Sequence, residues 1–300
     1  MSAADLRLAD RGLQVAPTAG PGYLLGRTCR ITLDRPRIMG VLNVTPDSFS
    51  DGGEIRSTDE AIARARQITA EGADRIDIGG ESTRPGAAAV SLQEELDRVM
   101  PVLEALRHEI DVPVSIDTNK SEVAQAGLEA GAEFINDISG LRFDARIAEV
   151  VARMEAGLFL MHTRGRPAQM QADTVYRDLI GEVVGRLEES LGAALRAGVN
   201  TERIAIDPGI GFGKDAAGNL ALLKRLAELG RLGRPILLGT SRKRFLGEIT
   251  GQPEPRQRLA GTLATVALGV ASGAGLFRVH DVGPAREAAL TAWAICRAAA

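Results

Sequence analysis

An α/β chain closed as one (β/α)8 TIM barrel is the fold this sequence predicts, and three observations carry the prediction. Short apolar runs end in polar, Gly-rich loops, helical patterns follow them, and there are eight such runs in 300 residues. The runs are Ile38–Asn43, Ala73–Gly79, Pro113–Asp117, Phe134–Ile138, Leu158–His162, Ile204–Asp207, Pro235–Thr240 and Leu276–His280. Their even spacing favours one barrel over residues 37–300 rather than two smaller domains.

Residues 1–36 read as an N-terminal extension, in which weak alternation over Thr28–Leu33 predicts one strand of a β-hairpin closing the bottom of the barrel. Helical spacing of apolar residues is clearest at Thr58–Glu71, Leu92–His108, Ser121–Ala130, Ala145–Ala156, Tyr176–Ala197 and Ala216–Leu229. Thr58 and Ser91 are the expected N-caps, and Glu94, three residues after Ser91, completes a capping box. Leu259–Phe277 carries no charge over 19 residues, close to the length of a membrane span, but four glycines and three Ser/Thr dilute it and Gly273–Gly275 breaks it. It reads instead as a buried helix followed by the eighth strand. Its small residues also suit a partner helix, so a homodimer is the expected assembly.

Hydrophobic residues make up 45% and charged residues 25%, an ordinary balance for a globular chain, while aromatics at 3% point to an aliphatic interior of Val, Ile and Leu. The net charge of -3 offers no general attraction to nucleic acid or to an anionic membrane, so any anion site has to be local. Cys29 and Cys296 are far apart and lack metal-type spacing, which fits a reducing cytoplasm. Met1–Gly20 has no continuous apolar stretch of the kind a secretory signal needs.

Barrels of this class build their sites at the C-terminal ends of the strands, which places Asn43, Asp117, Asn136, His162, Asp207, Lys243, Arg278 and His280 around one mouth. Asp117, Asn136 and Asp207 present acceptors for paired N–H donors such as the 2-amino-4-oxo edge of a pterin or guanine. Arg84, Lys243, Arg278 and His280 are four cationic or potentially cationic groups on the same face, suited to phosphate. The first loop, NVTPDSFSDGG from Asn43, carries Phe49 at its tip as a lid contact. Asn43 and Asp51 supply the one or two oxygen ligands that Mg²⁺ asks for alongside substrate phosphates. The three histidines lack the spacing of a zinc cage. DPGIGFGKD, from Asp207 to Asp215, has Pro208 where a phosphate-binding P-loop needs Gly and Asp215 where it needs Ser or Thr. Its glycines read as a close turn over a ligand, with Phe212 as an apolar contact.

The blocks MGVLNVTPDSFSDGG, DIGGESTRPGA, SIDTNKSEVA, FINDISG, LMHTRG, DPGIGFGKD, TSRKRFLG and FRVHDV, in this order from residue 39 to 282, closely resemble the dihydropteroate synthase family of bacterial folate biosynthesis. The resemblance implies condensation of 6-hydroxymethyl-7,8-dihydropterin diphosphate with 4-aminobenzoate to give 7,8-dihydropteroate and pyrophosphate, with sulfonamides competing at the aminobenzoate site. It implies a pterin pocket of Asp117, Asn136, Met161, Asp207, Phe212, Lys243 and Arg278. Asn43, Arg84, Arg278 and His280 would hold the diphosphate, with Asn43 on Mg²⁺, and Phe49, Thr83, Pro85, Phe212 and Ser241 would shape the aminobenzoate pocket. Catalytic roles fall on Asp51, Arg84, Lys243, Arg278 and His280, with closure of the first two loops over the pterin. Asp215, where the family more often has Thr, and Thr163-Arg164 are departures that bear on loop shape only. The rival readings are a Schiff-base aldolase on Lys243 activated by Arg242 and Arg244, a methyltetrahydrofolate methyltransferase-like barrel, and a binding-only paralogue.

Overall fold

The computed structural model describes residues 20–45, 57–84 and 86–298. A short antiparallel hairpin, β1 (Tyr23–Leu25) and β2 (Arg30–Thr32), precedes eight parallel strands. These are β3 (Arg37–Asn43), β4 (Arg75–Gly79), β5 (Val114–Asp117), β6 (Phe134–Asp137), β7 (Gly157–Met161), β8 (Ile204–Asp207), β9 (Leu237–Leu238) and β10 (Leu276–Val279). The sheet runs β8-β7-β6-β5-β4-β3-β10-β9. A parallel bridge between Ile206 and Ile236, with the Ile206 N–H donating to the Pro235 carbonyl at 2.9 Å, joins its two edges into the predicted barrel. The seventh run contracts to Leu237–Leu238 because this seam is made largely outside regular pairing.

The helices are α1 (Thr58–Ala70), α2 (Leu92–Leu106), α3 (Ser121–Glu129), α4 (Arg146–Arg153), α5 (Leu179–Arg196), α6 (Ala216–Lys224), α7 (Arg244–Thr250), α8 (Leu259–Ala271) and α9 (Val282–Arg297). Ser57, not Thr58, caps α1: its side chain accepts from the Glu60 N–H, one residue earlier than the sequence suggested. Ser91 caps α2 as expected, accepting from the Glu94 N–H. The pattern from Ala216 ends as α-helix at Lys224 and continues as a 3₁₀ segment, Leu226–Leu232. The uncharged stretch forms the 13-residue α8, and among the described residues no helix is long and apolar enough to cross a membrane.

The expectation of an aliphatic interior holds outside the barrel wall and fails inside it. Along β4, Ile76 and Ile78 face the helices and join a continuous core with Ile68, Val99 and Leu103, while Arg75 and Asp77 alternate with them on the lumen side. The lower lumen is filled by Met39, Phe134, Phe159, Leu237 and Leu276, and the hairpin plugs it from below with Leu24 and Ile31. Two of the chain's few aromatics are therefore spent at the bottom. Arg75, Asp77 and Ser115, all fully buried, make the layers above polar.

Candidate active site

The strand ends deliver their side chains to one rim. Asn43, Asp117, Met161 and Asp207 are the last residues of β3, β5, β7 and β8, and Asn136 and Arg278 stand one residue from the ends of β6 and β10. All six line a cleft of about 1180 Å³, together with Thr83, Arg84, Phe212, Ser241, Lys243 and His280. Asp207 and Arg278 thus occupy the same end of the barrel. Phe49, Asp51 and Pro85 lie outside the described residues.

Asp77, which sequence reasoning passed over, is the hub beneath the acidic side. It is fully buried and accepts from Arg278 Nε at 2.6 Å, from Asn136 Nδ2 at 3.0 Å and from the Ser115 hydroxyl. The second arm of Arg278, Nη2, donates to Asp117 at 2.8 Å. One guanidinium is thus held by two carboxylates from neighbouring strands, which fixes its plane at the floor of the cleft. Burial works against the Arg278 charge, but Asp77 and Asp117 outweigh it and keep its pKa raised. Burial likewise pushes the Asp117 carboxyl up, against the pull of Arg278. The signal for Asp77 was present in the alternation Arg75-Ile76-Asp77-Ile78, charged and apolar in turn.

Asp207 sits at the head of a loop folded around glycines. Its Oδ1 accepts from the Gly209 N–H at 2.6 Å, and burial raises its pKa to about 6 against that hydrogen bond and against Lys243, Lys214 and Arg278. Gly209 has φ +68°, and a Cβ there would overlap the His162 carbonyl oxygen, so both backbone conformation and space demand glycine. Lys214 reaches back through the loop it terminates: its Nζ donates to the Gly209 and Phe212 carbonyls, each at 2.9 Å, and lies 3.0 Å from His162 Nδ1. His162, expected at the mouth, is instead buried behind this loop against Lys214 and Tyr176, where burial and the neighbouring ammonium keep it neutral. Asp215 caps α6, accepting from the Gly218 N–H at 2.7 Å. A short oxygen-bearing side chain at this position therefore serves as a helix cap.

The basic side is set by a strained turn. Arg242 has φ +58°, an uncommon conformation for a side-chain-bearing residue. It is held there by its N–H on Thr262 Oγ1 at 3.1 Å and by two guanidinium bonds to Asp281 at 3.0 and 2.6 Å. The turn delivers Ser241 and Lys243 on either side. Ser241 Oγ accepts from the His280 N–H at 3.1 Å and lies 3.0 Å from its Nδ1. Lys243 Nζ lies 4.1 Å from the Phe212 ring centroid. Its pKa falls to about 8, caused first by burial and opposed by Asp207; Arg278 contributes, whereas Arg242 and Arg244 are engaged by Asp281 and Glu248. The Schiff-base expectation assigned that depression to Arg242 and Arg244, and burial replaces them as its source. Burial and the cations Arg242, Arg278, Arg84 and Lys243 lower the His280 pKa to about 3, so this imidazole is neutral at pH 7 and the standing cations are Arg84, Lys243 and Arg278.

Thr83 and Arg84 are carried on the loop after β4, whose base is tied down twice. Lys120 bridges Glu81 and the buried Glu95, and Arg98 Nη1 donates to the Gly80 carbonyl at 2.8 Å. Arg84 itself is exposed at the cleft edge, with its guanidinium free of any assigned ion pair to a described residue.

Among the described residues no three His, Cys, Asp or Glu side chains gather as a metal cage. The residues present nonetheless fit Mg²⁺ that arrives with a diphosphate. Asn43 offers a neutral oxygen at the rim, half-buried and opposite Gly79 in register, of the kind Mg²⁺ would take alongside phosphate oxygens and water.

Fold and site together define a barrel enzyme that recognises a pterin-like heterocycle, and the model of the family of pterin binding enzymes matches residues 39–280. Within it, the chain belongs to the dihydropteroate synthase family. A dihydropteroate synthase of Synechocystis is 50% identical over 262 residues, 87% of this chain and 91% of the relative. The solved structure of Xanthomonas albilineans dihydropteroate synthase with 4-aminobenzoic acid is 46% identical, with a TM-score of 0.86 over 93% of this chain and 99% of that one. That of the Yersinia pestis enzyme in complex with a sulfonamide drug is 43% identical, with a TM-score of 0.88 over 92% and 100%.

Proposed function

We propose that this chain condenses 6-hydroxymethyl-7,8-dihydropterin diphosphate with 4-aminobenzoate, releasing pyrophosphate and forming 7,8-dihydropteroate. The observation that carries the reading is the adjacency of an acidic and a basic set on one rim: Asp117, Asn136 and Asp207 face the cleft that Arg278, Lys243 and His280 also line. The carboxylates and Asn136 accept and donate along the amino-oxo edge of the pterin, Lys243 adds a donor, and Arg278, held in a fixed plane by Asp77 and Asp117, stacks on the ring. Met161 and Phe212 supply apolar contact.

The bond that breaks joins the pterin methylene carbon to the diphosphate oxygen, and the pair of electrons leaves with pyrophosphate. The cations Arg84 and Arg278 meet the charge that develops there, and the neutral His280 imidazole offers a ring N–H to it. The neutral arylamine nitrogen of 4-aminobenzoate then attacks the methylene cation, forming the C–N bond, and gives its surplus proton to solvent; no side-chain nucleophile is needed. Thr83 and Ser241 frame the aminobenzoate. Asn43 would hold Mg²⁺ together with the substrate phosphates, and the ion, when bound, would supply further charge neutralisation of the leaving group. Expectations for Phe49, Asp51 and Pro85 remain with the reading, as lid, cation partner and pocket wall. A homodimer in the cytoplasm belongs to the same reading, and Leu268 of α8 and Ile295 of α9, 65% and 64% exposed, are apolar surface such an assembly would cover.

The test is product analysis: the protein with pterin diphosphate, 4-aminobenzoate and Mg²⁺ yields a mass corresponding to 7,8-dihydropteroate, in amounts matching pyrophosphate. Absence of that mass, with pyrophosphate formed in the same amount whether or not 4-aminobenzoate is present, would refute the condensation.

A further inference from the structure

Arg75 is a charge in a place where a charge is costly. It is fully buried in the lower lumen, its three side-chain nitrogens have no hydrogen-bond partner among the described residues, and its guanidinium carbon lies 4.7 and 4.9 Å from the ring centroids of Phe134 and Phe159. Cation–π contact with two rings offsets part of the lost hydration, but a methionine or leucine would fill the same space without that loss. Packing therefore does not explain an arginine here.

The charges above it do. Asp77 is two residues further along β4 on the same lumen face, and it holds Arg278, which in turn holds Asp117. Asp207, Lys243 and Lys214 carry the charged set round the mouth, and Glu95 and Asp137 are buried beside Asp117. By residue type these are the five acids Asp77, Glu95, Asp117, Asp137 and Asp207 and the three cations Arg278, Lys243 and Lys214; Arg75 makes the fourth cation in a set where acids predominate. We propose that Arg75 is a buried counter-charge whose positive field offsets the crowd of acids in the lumen, making it a positioning residue for the pterin pocket it does not touch.

The groups that face this column come from every neighbouring element. Around Arg75 they are Cys29 from the hairpin, Asp74 and Asp77 from the β4 segment and Arg37 from β3. Around Asp117 they are Arg278, Asp77, Glu95 from α2 and Asp137 from β6. Asp117 has three acidic neighbours and one cationic one, so it is the group that takes up a proton first when a positive charge is withdrawn. A unit charge about 8 Å away at an effective dielectric of about 20 moves a carboxyl midpoint by about 1.5 pH units.

The pocket role rests on the proposed pterin reading, so the test has two arms. Unliganded protein with ¹³C-labelled aspartate carboxyls is titrated by NMR as wild type, R75M, R75Q and R75K, with thermal midpoints recorded alongside. The proposal expects R75M and R75Q to stay folded, with a lumen carboxyl titrating about one unit higher, and R75K to keep the wild-type midpoint. Affinity for 6-hydroxymethyl-7,8-dihydropterin diphosphate at pH 7 then falls about fivefold to tenfold in R75M and recovers in R75K. Unchanged carboxyl midpoints in both neutral variants, or R75K behaving like them, overturns the proposal. Loss of stability without any change in titration does the same, since that is the mark of a packing role. If wild type itself fails to bind the pterin diphosphate, the function reading fails, and the carboxyl titration still decides what Arg75 does.

Discussion

Replacing Asp77 by asparagine removes one negative charge from a fully buried side chain and leaves its volume almost unchanged, which isolates the electrostatic part of its role. Three groups use that carboxylate: Arg278 Nε at 2.6 Å, Asn136 Nδ2 at 3.0 Å and the Ser115 hydroxyl. The amide oxygen that D77N introduces can still accept from one or two of them, but its NH₂ group must face a donor, and Arg278 keeps only Asp117 as a counter-charge. A charge-assisted hydrogen bond contributes about 1.5–3 kcal/mol, and stripping a buried charge of its partner costs about 3–5 kcal/mol. With Asp117 still in place, a loss of about 2–3 kcal/mol follows. For a chain of this size that lowers the thermal midpoint by roughly 5–8 °C. The guanidinium would also swing from the plane in which it meets the pterin, so affinity for the pterin diphosphate falls at least tenfold while 4-aminobenzoate contacts are spared. Circular dichroism melts and calorimetric titration measure both. A thermal midpoint within about 1 °C of wild type together with unchanged pterin affinity refutes the reasoning, because the hub would then hold nothing.

Other outcomes follow from the same geometry. Burial holds the Asp207 carboxyl near a pKa of about 6 in the free protein. If the pterin takes the ionised form, the complex binds fewer protons than the free site, so affinity is full above about pH 7 and falls as pH drops through about 6; D207N flattens that profile and weakens binding throughout. Asp207→Ala abolishes pterin binding and Lys243→Ala severely weakens it, as read by fluorescence titration of the pterin. Gly209→Ala, at φ +68° and against the His162 carbonyl, destabilises by roughly 2–4 kcal/mol and disorders the Phe212 loop, seen as a lowered melting midpoint with loss of pterin affinity. Analytical ultracentrifugation checks the proposed dimer: the wild type sediments at twice 31.7 kDa and L268E as a monomer.

The barrel was legible because each strand meets a helical layer on its outer face, which forces the short apolar runs, and because each run ends where a polar residue turns into the mouth. Asn43, Asp117 and Asp207 were found that way. The reading faltered wherever polarity pointed inward below the rim. The stretch Arg75-Ile76-Asp77-Ile78 displays its alternation openly, yet read as an apolar run it concealed the charged lumen and with it the hub of the site. His162 shows the converse: a strand-terminal histidine resembles a rim residue, and only the path of the Gly209 loop turns it into the loop's backing. Helices α7 and α9 escaped notice because they follow directly on the site turns at Lys243 and Asp281, where loop chemistry dominates the pattern. Short contacts such as Lys214 with two carbonyls of its own loop depend on backbone turns that no spacing rule encodes.

The central claim is that a heterocycle is recognised by acids and its departing phosphates by bases on a single rim. A crystal structure of the protein with 6-hydroxymethyl-7,8-dihydropterin diphosphate and Mg²⁺ tests it most directly. The account predicts the amino-oxo edge against Asp117, Asn136 and Asp207, with the diphosphate within reach of Asn43, Arg278 and His280. A pterin ring seated away from Asp207, or phosphates turned away from Arg278 and His280, would contradict it.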